Sequence, residues 1–282
     1  MKTPDRFGLG WRDDLAAGIL SNLHRIDALE VIADDYFEAP SKKIRAIRDL
    51  AQQHPVMLHA VSLGLASTIA PERKRLTQMA KLIEKVRPES WSEHLAFVRA
   101  GGIEIGHMAS PPRNAPSIDA TLSNIHQATK ATGIAPAMEN VASLIDPPGS
   151  TITEAVWLSA IAAASPGSLL LDLHNIHTNS INFGYDPYSL LSTIPLHRVN
   201  TIHIAGGKWI GKRILDDHLH PVPDPVYDML AFVAARAPQP LTVLLERDGA
   251  YPPIADLLAE LDRAREAIRQ GREAAAHEFA RV

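Results

Sequence analysis

Histidines and carboxylates recur where the apolar runs of this sequence end. Leu58-His59, Ser92-Glu93-His94, Met138-Glu139-Asn140, Leu171-Asp172-Leu173-His174-Asn175, His203, Asp216-Asp217-His218 and Leu245-Glu246-Arg247-Asp248 each close or follow such a run. A single histidine there is more often a hydrogen-bonded structural residue than a ligand. Many together are harder to house, because buried carboxylates repel one another unless a cation lies among them. Imidazole and carboxylate donors without sulfur suit iron, zinc or manganese and argue against copper(I). These positions outnumber the needs of one ion, so two or three metals are expected, with Glu139 placed to bridge a pair.

Such a cluster requires elements that converge. Eight strand-length runs are expected at Phe7–Trp11, Ala28–Ala33, Pro55–Ala60, Ser90–Ala96, Ala135–Asn140, Ser168–Asn175, Val199–Ala205 and Leu241–Arg247. Most are continuously apolar, as strands buried on both faces are. Helical stretches alternate with them: Arg12–His24, Ser41–Gln53, Pro71–Val86, Ser117–Thr132, Thr153–Ala164, Asp224–Ala235 and Ile254–Gln270. Ser41 and Thr151-x-x-Glu154 read as helix-start signals. Eight strand–helix units predict a single (β/α)8 TIM barrel, whose active sites lie at the C-terminal ends of the strands. An open doubly wound sheet is disfavoured, since Gly8-Leu9-Gly10-Trp11-Arg12 lacks the third glycine of a dinucleotide turn. The barrel is expected over residues 1–270, with a frayed helical tail at 271–282. Gly101–Pro116 and Gly206–Pro223 read as long irregular loops at the mouth, and loops of that length are often functional.

Composition narrows the partners. The 282 residues are 46% hydrophobic and 21% charged, enough to bury a large core. The absence of cysteine excludes disulfides, thiolate zinc sites, iron–sulfur clusters and cysteine nucleophiles. A net charge of −4 argues against a nucleic-acid backbone as partner. No apolar segment resembles a signal peptide, and the uncharged stretch Ala155–Leu171 is broken by Ser165-Pro166-Gly167, so a cytoplasmic protein without membrane contact is expected. Ser92 lies in no Gly-x-Ser-x-Gly elbow, which discounts a serine nucleophile. His24, His54, His126 and His277 read as surface residues, Trp91 and Trp157 as core. His107 and His220 fall in the two long loops, where lining the mouth and ordinary exposure are equally open. Arg247 and Asp248 read either as partners that orient a ligand or as a surface ion pair.

The runs Met57-Leu58-His59-Ala60-Val61-Ser62-Leu63, Ser92-Glu93-His94-Leu95-Ala96-Phe97, Met138-Glu139-Asn140, Leu170-Leu171-Asp172-Leu173-His174-Asn175, Ile202-His203-Ile204-Ala205-Gly206, Asp216-x-His218 and Leu245-Glu246-Arg247-Asp248, in this order, resemble the multinuclear non-haem iron-dependent oxidative enzymes, relatives of the methanobactin biosynthesis oxidase. The resemblance extends from Gly8 to about Leu261. It implies a xylose isomerase-like barrel with two or three irons. It also implies oxygen-dependent modification of a ribosomally made precursor peptide, often at cysteine, and a small partner protein that binds the peptide leader. Carried over, it places one iron on His59, His94 and Glu139. A second would lie on Glu139, Asp172, His203 and Glu246, and a third, weaker position on Asn175, Asp216 and His218. The chemistry would centre on Glu139, Asp172 and His203. The chain departs from the pattern at Gly207-Lys208 and in Gly8–Asp14, where relatives often carry histidine, and at His177, where many carry tyrosine.

The same constellation is similar to endonuclease IV, a trizinc barrel, and more distantly to xylose isomerase. Asn175 stands where the nuclease has histidine, and an isomerase would want a catalytic lysine, for which Lys208 is the candidate. A metal-dependent peptide-binding scaffold is the non-enzymatic alternative.

Overall fold

A computed structural model describes residues 4–279 of the chain. Eight parallel strands close into a barrel: β1 (Arg6–Trp11), β2 (Ala28–Ile32), β3 (Val56–Ala60), β4 (Ser90–His94), β7 (Ala137–Glu139), β8 (Leu169–Asp172), β9 (Val199–Ile204) and β12 (Thr242–Leu245). Two antiparallel hairpins stand apart from it, β5 (Phe97–Ala100) with β6 (Ile103–Ala109) and β10 (Lys208–Ile210) with β11 (Arg213–Leu215). The surrounding helices are α1 (Ala16–Ser21), α2 (Ser41–Ala51), α3 (Arg73–Val86), α4 (Ala115–Thr132), α5 (Glu154–Ala164), α6 (Leu173–Phe183), α7 (Pro187–Thr193), α8 (Asp224–Arg236) and α9 (Ile254–Phe279). Among the described residues no helix is long and apolar enough to cross a membrane.

Strand side chains alternate between faces, and parallel partners at one level share a face. Leu9, Leu29, Val31, Leu58, Leu171, Ile202 and Leu245 point outward into the main buried cluster beneath the helices. The other parity faces the barrel axis. Ala28, Met57 and Leu244 form a separate small cluster there, and Gly8 completes it because a Cβ would lie 2.2 Å from the Ala28 carbonyl oxygen. Two residues further along each strand, the same parity gives Glu30, His59, Glu246 and, on neighbouring strands, His94, Glu139, Asp172 and His203. The bottom of the barrel is thus filled by small and apolar side chains, and the layer above it is polar.

Several sequence expectations need correction. Both long loops contain hairpins. The stretch Arg12–His24 breaks into α1 between two short 3-10 turns. The run read as a strand to Asn175 stops at Asp172, where α6 begins, and neither α6 nor α7 was expected. Pro40, not Ser41, occupies the N-cap of α2 and makes no side-chain bond, while Thr153 rather than Thr151 caps α5. The last helix runs unbroken to Phe279, with Gly271 set against the Ala231 carbonyl of α8; the expected tail beyond Phe279 lies outside the described residues.

Candidate metal centre

His59 is the fourth residue of β3 and is buried. Its Nδ1 lies 2.7 Å from Ser92 Oγ, one strand over, which turns Nε2 toward Glu139 Oε2 at 3.3 Å. His94, which ends β4, brings its own Nε2 to 3.3 Å from the same oxygen, while its Nδ1 faces Glu93 Oε1 at 3.5 Å. Donor atoms on one small divalent ion, at bonds of about 2.0–2.2 Å, stand roughly 3.0–3.5 Å apart. The spacing fits an ion better than a proton.

A second group shares Glu139. His203 Nδ1 is 3.3 Å from Glu139 Oε1 and 3.1 Å from Glu246 Oε2, and Asp172 completes a set whose ligand atoms lie within 4.8 Å of one another. Asp172 is the N-cap of α6. Its Oδ1 accepts the Asn175 N–H at 2.7 Å, and Asn140 grips its backbone through two bonds of 2.9 Å. Capping fixes the carboxylate and leaves Oδ2 free for the centre.

The third group comes from α6 and the loop after β11. Asp216 Oδ1 is 2.8 Å from both His174 Nδ1 and His218 Nε2, so the three offer donor atoms within 4.8 Å of one another. Asn175 lies beside it, its amide donating to the Asn140 carbonyl at 3.0 Å. His218 adopts φ 53°, a left-handed conformation that costs a non-glycine residue of order 1–3 kcal/mol. Its Nδ1 meets Asp248 Oδ2 at 3.0 Å, and Asp248 is itself paired with Arg12.

Ten buried side-chain nitrogen and oxygen atoms lack a hydrogen-bond partner among the described residues. Six belong to this centre: His94 Nδ1, Glu139 Oε2, Asp172 Oδ2, Asn175 Oδ1, His203 Nδ1 and His218 Nε2. Buried unpaired polar atoms are costly, and a cation among them would relieve that cost. The charges agree. Burial and the facing Glu139 and Asp216 hold Asp172 well above the usual carboxylate range. Burial would raise Glu246 too, but His203 and His218 outweigh it and hold it well below. Burial opposes charge on His94, yet Glu139 and Glu93 push it up to about 9.

The nine residues expected as ligands therefore lie near one another, two groups sharing Glu139 and a third, beside Asn175, standing apart. Two further residues were missed. Glu30, 1% exposed, stands 3.0 Å from His203 Nε2, and His174 joins the third group. Asp248 orients His218, whereas Arg247 turns away to Glu260 at 3.0 Å. His177 is half-buried on α6, and burial with His174 holds it down to about 4. His107, on β6, lines the mouth; His220 and Lys208 do not. His24, His126 and His277 are exposed, and His54 is half-buried.

Beside this layer of histidines and carboxylates opens a cavity of about 450 Å³. His94, Glu139, Asn175, Asp216 and His218 form its floor, and Phe97, Met108, Val141, Leu144, Ile145 and Ile214 its walls.

Comparison with known proteins gives the following likenesses. The family model of the RiPP precursor modification enzyme MbnB/TglH/ChrH matches residues 6–269. A UPF0276 protein of Streptomyces avermitilis is 35% identical over 93% of the chain, which spans 55% of that relative's length. A UPF0276 protein of Caulobacter vibrioides is 31% identical over 95% of this chain and 96% of its own. Among solved structures, endonuclease IV from Thermus thermophilus superposes with TM-score 0.59 at 18% identity, covering 93% of this chain and 99% of that one. A xylose isomerase domain protein from Planctomyces limnophilus gives 0.58 at 14%, covering 97% and 99%. The fold is a xylose isomerase-like barrel, and the chain belongs to the RiPP precursor modification enzyme family MbnB/TglH/ChrH.

Proposed function

We propose that this protein is a multinuclear non-haem iron-dependent oxidase that modifies a residue, cysteine by preference, of a ribosomally synthesised precursor peptide in an oxygen-dependent reaction. The observation that carries this reading is Glu139, shared between two groups of buried ligands in a protein of a peptide-modifying family. His59, His94 and Glu139 would hold one ion. Asp172, His203, Glu246 and the other oxygen of Glu139 would hold a second, and Asn175, Asp216 and His218 a third. Iron bound there would supply redox chemistry with oxygen that no side chain of the protein can supply.

The chain's own residues do the placing. Ser92 and Glu30 each engage the ring nitrogen of a histidine that faces away from the centre, fixing the orientation of His59 and His203. Phe97, Val141, Leu144 and Ile145 give an extended peptide an apolar wall beside the floor. The two hairpins flank the entrance, and their exposed Ile103, Trp209 and Ile210 offer a surface for a small partner that presents the peptide leader.

The test is incubation of the iron-loaded enzyme with a cysteine-containing candidate precursor peptide, with and without oxygen, following peptide mass. An oxygen-dependent mass change supports the reading. A change independent of oxygen, or full activity with zinc alone, would replace it with a hydrolytic function like that of the zinc nuclease.

A further inference from the structure

We infer that His174 is a metal ligand, so that the third ion is held by two imidazoles and a carboxylate and is retained as firmly as the other two. This rests on the metal-centre reading above and adds to it a residue outside the nine ligands assigned there.

The geometry is local to α6 and the loop following β11. His174 Nδ1 and His218 Nε2 approach Asp216 Oδ1 from two sides at 2.8 Å each, with the two rings 6.2 Å apart at centroids and inclined by 78°. The His174 contact has hydrogen-bond geometry, whereas His218 Nε2, at the same distance, has none and is left without a partner. Asn175 Oδ1 is also unpartnered, on a side chain 3% exposed. Two nitrogens and one carboxylate oxygen thus converge, and opening the 2.8 Å contacts by a few tenths of an ångström would give the separations expected around one ion.

The fold makes room for the ring. His174 is 1% exposed, and the backbone of Gly207 passes directly against it: a Cβ at Gly207 would lie 2.7 Å from His174 Cε1 and 3.0 Å from Nε2. With Nε2 on the Gly207 side, Nδ1 is the nitrogen left for Asp216 and the ion. α6 supplies the rest of the alignment, since its N-cap Asp172 belongs to the second group and its residues His174 and Asn175 to the third. One helical turn therefore serves two ions.

The experiment titrates metal-free protein with cobalt(II) against a competing chelator, counting ions and following the visible absorption of the bound cobalt. The wild type is expected to hold about three equivalents. His174→Ala and His174→Gln should each keep two equivalents at unchanged affinity, which also shows that they fold. Both should lose the third by more than the roughly 10–100-fold that removal of an outer partner costs. Glutamine can still donate a hydrogen bond to Asp216, so a third equivalent retained in His174→Gln would reduce His174 to a positioning residue and overturn the assignment. Three equivalents in both variants would overturn it as well. A wild type that binds no cobalt would instead overturn the metal-centre reading itself.

Discussion

Glu30 and His203, distant in sequence, meet inside the barrel with the carboxylate 3.0 Å from Nε2, on the side of the ring away from Glu139 and Glu246. The carboxylate accepts the Nε2–H hydrogen bond, which directs Nδ1 toward the centre as the nitrogen that would bind an ion. Carboxylate–histidine pairs of this kind raise ligand basicity and fix the tautomer. Glu30→Leu should therefore weaken metal binding at the second position by about 10–100-fold. Glu30→Gln, whose amide oxygen still accepts the N–H, should lose less. Chelator competition measures both, and equal affinities in wild type and Glu30→Leu would remove the orienting role.

Glu139 serves two groups where every other ligand serves one. Replacing Glu139 with Ala should lower the metal content of anaerobically purified protein more than replacing Asn175, which offers a single neutral oxygen. Elemental analysis of the two variants decides it. Full occupancy without Glu139 would exclude a bridge.

The barrel was legible because its strands are apolar runs, and most of the candidate metal centre because histidine and carboxylate interrupt those runs near their ends. Glu30 escaped notice for the same reason. In Ala28-Leu29-Glu30-Val31-Ile32 it sits mid-strand, and only the closed register shows that it shares the inward parity of His59 and His203. The β10–β11 hairpin was hidden by size, since its strands have three residues each and bury little, and β6, though seven residues long, by exposure, since its first five residues lie at the surface. Helix α6 was hidden by continuity: Leu169–Asn175 reads as one apolar-to-polar strand end. Its His, Asn, Thr and Ser residues are weak helix formers, and only the Asp172 cap declares the start. His174 was quoted as part of a motif, but its partner Asp216 lies 42 residues away.

The cavity wall gives a prediction about substrate. Ile145 lines the mouth while 71% of it remains exposed, so a bound peptide can still bury it. Burying such a side chain fully is worth about 1.5–3 kcal/mol, and covering part of it about 1 kcal/mol, roughly a fivefold effect. Ile145→Glu should raise KM for the precursor peptide by about that factor or more, with kcat and metal content close to wild type. Unchanged KM would place the peptide on another wall.

Metal loading should be pH-dependent in a defined direction. Burial works against a charge on His94, but Glu139 and Glu93 hold its pKa up to about 9, above the ordinary histidine value. In the metal-free protein the ring therefore keeps its proton at neutral pH. This contribution to stability is complete below the ordinary value and disappears as pH rises through about 9. An ion needs the free lone pair and must displace that proton. Apparent affinity should thus climb as pH rises from about 6 toward 9, by up to about tenfold per unit for each proton displaced, and loading at neutral pH should release protons to the solvent. Calorimetric titration with cobalt(II) in two buffers of different ionisation enthalpy measures that release directly. Identical heats in the two buffers would mean that the histidines of the centre are already neutral before the metal arrives.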